Sequence, residues 1–169
     1  MRFSAKIWAL VIFVAAALAG TASIVWSHCE IPCGIYGDKT RIDLLYEHIA
    51  TIEKSMKQIE ALQAEEKTNY NQLVRWISNK EKHAEEVQHM VMQYFMTQRV
   101  KPAESGDARK KYLTQLTSLH GMLLHAMRAK QTTRVEHCVA MRQHVDTFAA
   151  AYFSAEDLKH IREHHKGHK

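Results

Sequence analysis

Residues 41–62 read RIDLLYEHIATIEKSMKQIEAL. Ile42, Leu45, Ile49, Ile52, Met56, Ile59 and Leu62 recur at intervals of three and four. That spacing draws one apolar stripe down a helix and predicts a first helix over about 40–65. The rest of the chain repeats the pattern. A second helix is predicted over about 68–97, with Tyr70, Leu73, Val74, Ile77, Ala84, Val87, Val91 and Phe95 on one face. Lys101 to Asp107 contains one of the two prolines and is the clearest break. A third helix over about 108–130 carries Leu113, Leu116, His120, Leu123, Leu124 and Met127, and Gln131 to Thr133 is a turn. A fourth over about 134–152 carries Val135, Cys138, Val139, Val145, Phe148 and Tyr152. Ser154 and Asp157 suggest an N-cap before a short tail helix. With 169 residues, 6 Gly and 2 Pro, the chain reads as one all-α domain, an up-and-down four-helix bundle with short connections.

The two ends differ from this middle. Residues 1–27 have the layout of a signal peptide: Arg2 and Lys6, an uncharged apolar run from Ile7 to Gly20, and small residues at Val25 and Ser27. Cuts after Ala19 or Ser23 compete with one after Ser27. The rival reading is an uncleaved anchor, since Ile7 to Trp26 gives 20 residues without charge. Cleavage after Ser27 removes two basic residues and no acidic one, so the formal charge falls from +5 to +3 over the 142 residues left. This balance gives no case for nucleic acid, and no basic patch with interleaved aromatics appears. A weak positive field suits attraction of a small anion. The divisions expected are 1–27 as export signal, 28–39 as metal-binding hook and loop, 40–153 as bundle, and 154–169 as a histidine-rich tail, either metal-collecting or merely solvated.

The chemistry concentrates in His28-Cys29-Glu30-Ile31-Pro32-Cys33, just after the proposed cut. Cleavage at Ser27–His28 makes one short segment offer a free α-amine, an imidazole, a backbone amide and two thiols. Thiolates favour soft or redox-active metals over magnesium or calcium, and a planar N,S set suits a d⁸ ion such as nickel(II). Pro32 favours a turn that brings Cys29 and Cys33 together, and Gly34 lets the backbone pass close by. The amine of His28 and the amide of Cys29 close a five-membered chelate, with the His28 imidazole as an axial ligand. Such donors stabilise the higher oxidation state of nickel, and assembly releases protons, so it weakens at low pH. Two nearby cysteines in an exported chain also admit a disulfide, though the loop closed would be very small. Cys138, mid-helix on an apolar stripe, reads as a buried thiol.

The run His28 to Tyr36 resembles the nickel hook of nickel superoxide dismutases, whose pattern is H-C-x-x-P-C-G-x-Y, and every fixed position is present. A weaker resemblance runs over about 36–130, through a four-helix bundle, Lys80-Glu81-Lys82-His83 and Tyr94-Phe95. The resemblance implies one nickel per subunit, held by His28, Cys29 and Cys33. It implies superoxide as substrate, with dioxygen and hydrogen peroxide as products, and a homohexamer. Tyr36 would stand over the open metal face. Asp43 would be the carboxylate that orients the axial imidazole, after a loop one residue shorter than is usual. Some members add an arginine on the second helix; the alignment puts Asn79 there, with Arg75 one turn earlier. The family commonly exposes its histidine by removing a propeptide, whereas here signal peptidase would do so, which makes the protein exported, periplasmic or extracellular.

Other constellations are weaker. Glu86 and His89 form one E-x-x-H, and the only second candidate is Asp157/His160, so a di-iron core is not supported. His120 reads as a hydrogen-bonded core histidine, and His48, His83, His125, His137 and His144 read as surface. Methionines at helical spacing read as core. Two functions of other classes compete: an exported copper-binding or thiol-redox Cys-x₃-Cys protein, which lacks its usual βαβ pattern here, and a membrane-anchored helical interaction protein. The motif lacks the C-x-x-C-H of c-type haem.

Overall fold

The computed structural model describes residues 37–159, all within the larger of the chain's two compact units, residues 32–169. Four α-helices follow in order: α1 (Asp38–Gln63), α2 (Tyr70–His89), α3 (Gly106–Gln131) and α4 (Glu136–Tyr152). A π-helical segment, Met90–Arg99, continues α2, and a single helical turn covers 155–159. No strand occurs among the described residues. Each helix packs on its neighbour in sequence and α4 returns against α1, so the bundle closes on itself.

The stripe on α1 is the spine of that bundle. Ile42, Leu45, Ile49, Ile52, Met56 and Ile59 are all buried. The two aromatic anchors of the core are Phe95 and Phe148, whose ring centroids lie 4.8 Å apart, edge to face. Asn69 caps α2 by accepting from the Gln72 amide at 3.2 Å. Ser154 accepts from the Asp157 amide at 3.2 Å and so opens the last helical turn, as its sequence suggests.

The apolar faces expected of the other helices need correction. Tyr70, Val74 and Ile77 of α2 are exposed at 73%, 60% and 39%. On α3 the seam is Gln115, Ser118, Leu119, Met122, Ala126 and Ala129, while Leu113, Met127 and His120 face outward. On α4, Val135 and Val139 are exposed while His137 and Met141 are buried. The physical reason is close helix approach. Small residues on α3 let backbones draw together, and the larger aliphatics are left at the boundary.

Two buried polar side chains satisfy helix ends across the bundle. Lys80, 4% exposed, donates from Nζ to the carbonyls of Ala129 (2.8 Å) and Lys130 (2.5 Å) and pairs with Glu81 at 3.1 Å. The last carbonyls of α3 would otherwise lack partners. Gln115 donates to the Ala151 carbonyl at 3.0 Å and does the same for α4.

No helix among the described residues is long and apolar enough to cross a membrane. The proposed export signal at 1–27, most of the hook-and-loop segment 28–39 and the tail beyond Lys159 lie outside the described residues.

Candidate metal centre

The ligand candidates His28, Cys29 and Cys33, with Tyr36, lie outside the described residues; the structure describes the ground into which their segment runs. Gly37 stands at the entry to α1 with φ +36°, a left-handed conformation that side chains rarely adopt. A cleft of about 700 Å³ opens there, lined by Asp38, Lys39, Asp43, Tyr152, Ser154 and Asp157 among others. Lys39 and Asp157 pair across it at 2.6 Å.

Asp38 is the hub of this corner. Its Oδ1 accepts from the Tyr94 hydroxyl at 2.5 Å. Its Oδ2 accepts from Tyr152 at 2.6 Å and from Arg99 Nη2 at 2.7 Å. Burial pushes the Asp38 pKa up, but the bonds from Arg99, Tyr152 and Tyr94 outweigh it and hold the carboxyl below its ordinary value. Burial and the same carboxylate push Tyr94 and Tyr152 up to about 12, so both phenols remain protonated donors at neutral pH. The Arg41 guanidinium lies 4.9 Å from the centre of the Tyr94 ring. Phe95, Phe148 and Tyr152 pack beneath, with the Phe148 and Tyr152 rings stacked at 5.2 Å.

The π-helical winding makes the hub possible. Tyr94 and Arg99 are five residues apart, about 140° around an α-helix. Wider winding, with bonds from i to i+5, brings residues five apart nearly into line. Thr97 and Gln98 reinforce it, their side chains donating to the carbonyls of Met92 (2.8 Å) and Gln93 (2.9 Å).

Asp43 lies on α1 in the same cleft, half-buried, with Oδ1 sealed from solvent. Asn79, which stands where some members have an arginine, is not near Asp43. Asn79 donates to Ser55 at 3.0 Å, twelve residues and about 18 Å along α1 from Asp43, and Arg75 is exposed. The arginine that does reach this end is Arg99. Sequence reading missed Asp38 and Arg99, because helical periodicity of 3.6 separates Arg99 from Tyr94. An acidic residue directly after a turn glycine was the one available signal for Asp38.

Cys138 is fully buried and within 3.8 Å of Met56 Sδ, and burial pushes its thiol up to about 11. It is a core thiol, as expected, which leaves Cys29 and Cys33 as the thiols available to a metal. Their soft donor set fits nickel. His89 is exposed, which removes the E-x-x-H of a di-iron core.

The class defined by the described residues is an all-α helical bundle. The model of the nickel-containing superoxide dismutase family matches residues 22–156, and the chain belongs to that family. The match extends beyond the 36–130 segment expected from the bundle motifs. Nickel is the cofactor and superoxide the substrate that membership implies. No curated protein and no solved structure matches the chain.

Proposed function

We propose that this chain is an exported, nickel-dependent enzyme that converts two superoxide ions and two protons into dioxygen and hydrogen peroxide. The observation that carries the reading is the complete H-C-x-x-P-C-G-x-Y pattern at His28–Tyr36, inside the segment matched by the family model. His28 would hold nickel through its amine and imidazole, Cys29 through its amide nitrogen and thiolate, and Cys33 through its thiolate. Bound nickel supplies a Ni(II)/Ni(III) couple that takes an electron from one superoxide and returns it to a second.

The protein's own residues set the conditions for that chemistry. Asp43 would hold the His28 ring in one orientation, and Tyr36 would limit access to small anions. Asp38, Tyr94, Tyr152 and Arg99 fix the first turn of α1, two residues after Tyr36. Signal peptidase would expose the His28 amine, which joins export to activation and places the enzyme in the periplasm or outside the cell. Family resemblance supports a homohexamer, and the exposed Tyr70–Val74–Ile77 stripe offers an apolar surface for contact with another copy.

The test is intact mass, metal content and superoxide consumption of the exported protein. The expected result is a chain beginning at His28 with one nickel and full activity. One residue added before His28, or Cys29→Ala, abolishes activity with the helices intact. Full activity in Cys29→Ala would overturn the assignment.

A further inference from the structure

The seam between α3 and α4 carries three imidazoles that the hook chemistry does not use. His125 of α3 lies against both His137 and His144 of α4, with ring centroids 5.4 Å and 5.6 Å away. His137 and His144 are seven residues apart, two helical turns on one face. His137 is only 6% exposed, and His125 and His144 are half-buried. Gly121 seats the third ring: a Cβ there would fall 2.4 Å from His144 Cε1 and Nε2. The His144 imidazole therefore lies directly on the α3 backbone, at a place where any larger residue would displace it.

The nitrogen separations distinguish this seam from the other histidine pair. His48 and His83 meet Nδ1 to Nδ1 at 2.9 Å, an ordinary hydrogen bond. His125 and His137 stand Nδ1 to Nδ1 at 3.3 Å, a longer hydrogen bond. Two imidazole nitrogens bound to one tetrahedral ion, with bonds of about 2.0–2.1 Å, lie about 3.3–3.4 Å apart.

We propose that His125 and His137 chelate a divalent transition-metal ion between α3 and α4, with His144 as the third ligand. Imidazole ligands without thiolate suit zinc, copper(II) or nickel(II). Among the described residues no three such side chains already meet at one point. Side-chain rotation of His144 closes the site, and water takes the fourth position. Tyr152, which bonds Asp38 at the entry to α1, is fifteen residues from His137, about 22 Å along the helix, so this seam is distant from that corner. The ion's role is to clamp α3 to α4.

The experiment uses the full chain carrying Cys29→Ser and Cys33→Ser, which silences the hook, and reads bound metal rather than activity. Equilibrium dialysis against zinc, nickel(II) and copper(II) gives the number of ions bound. Cobalt(II) serves as a visible probe of tetrahedral nitrogen coordination. The expected result is one more tightly bound equivalent than in the same chain with His125→Ala and His137→Ala, and weaker binding with His144→Ala. Equal metal content with and without the two histidines overturns the proposal. Should that double variant fail to fold, imidazole NMR signals of the hook-silenced parent decide: zinc shifts those of His125 and His137, and unmoved signals refute the site. Because the hook is silenced throughout, failure here leaves the nickel enzyme reading intact.

Discussion

Asp38→Asn is the most direct test of the corner at the entry to α1. The carboxylate side chain is 14% exposed and takes two tyrosine hydroxyls and one guanidinium. Asparagine keeps the shape but loses the charge, and it turns one acceptor into a donor. Hydrogen bonds to charged groups contribute about 1.5–3 kcal/mol each when buried. Arg99 is 35% exposed, so water recovers part of its loss. The tyrosines can reverse a hydroxyl, which recovers more. A net cost of about 2 kcal/mol follows, or about 6–8 °C in Tm for a domain of this size. Urea unfolding at pH 7 measures it, and Tyr152→Phe costs less in the Asp38→Asn background than alone. The pH dependence has a definite sign. The folded pKa of Asp38 lies below its ordinary value of 3.8, so its contribution is complete above that value and is lost as pH falls through the lowered folded value. The gap between wild type and Asp38→Asn therefore closes below about pH 4. A variant within 0.5 kcal/mol of wild type at pH 7 (roughly the size of measurement error), or a gap that does not narrow at all as pH falls below about 4, refutes the hub.

Lys80→Met leaves the last carbonyls of α3 without their buried donor and Glu81 with only the longer contact to Lys130, and lowers stability by about 2–4 kcal/mol in denaturant unfolding. Burial holds His48 and His83 below the ordinary histidine value of 6.5, helped by their neighbours: His83 acts on His48, and Lys82 on His83, against Glu47 and Glu86. The unfolded chain binds those protons first, so stability is full above about pH 6.5 and declines as pH falls through the lowered folded values; His48→Gln flattens that decline in thermal melts. Cys138→Ala costs about 1 kcal/mol of packing and leaves nickel content unchanged by elemental analysis; loss of nickel would show the thiol to be a ligand.

How far the sequence reveals this protein depends on which residues fill its seams. Ile42 to Ile59 reads correctly because large apolar side chains occupy every inward position of α1 but Ser55. The same rule fails on α3, where Ala126, Ala129, Gly121 and Ser118 face inward. Small residues make little apolar signal, yet they let α3 and α4 approach closely enough to press His144 onto Gly121. Lys80 and Gln115 fail the rule for a second reason: each is buried to complete another helix's end, a partner far away in sequence. Asp43 is picked out in the sequence by its position after the hook, and in the structure it lines the cleft at the entry to α1. Asp38 with Arg99 is not picked out, because their union depends on a change of helical winding at Met90. A pattern search at 3.6 residues per turn sends Arg99 to a different face from Tyr94. Among the described residues, the departure from α-helical periodicity thus falls where Arg99 must reach Asp38 at the entry to α1. π-Helical turns gather at functional sites for this reason: they re-aim side chains without breaking the helix.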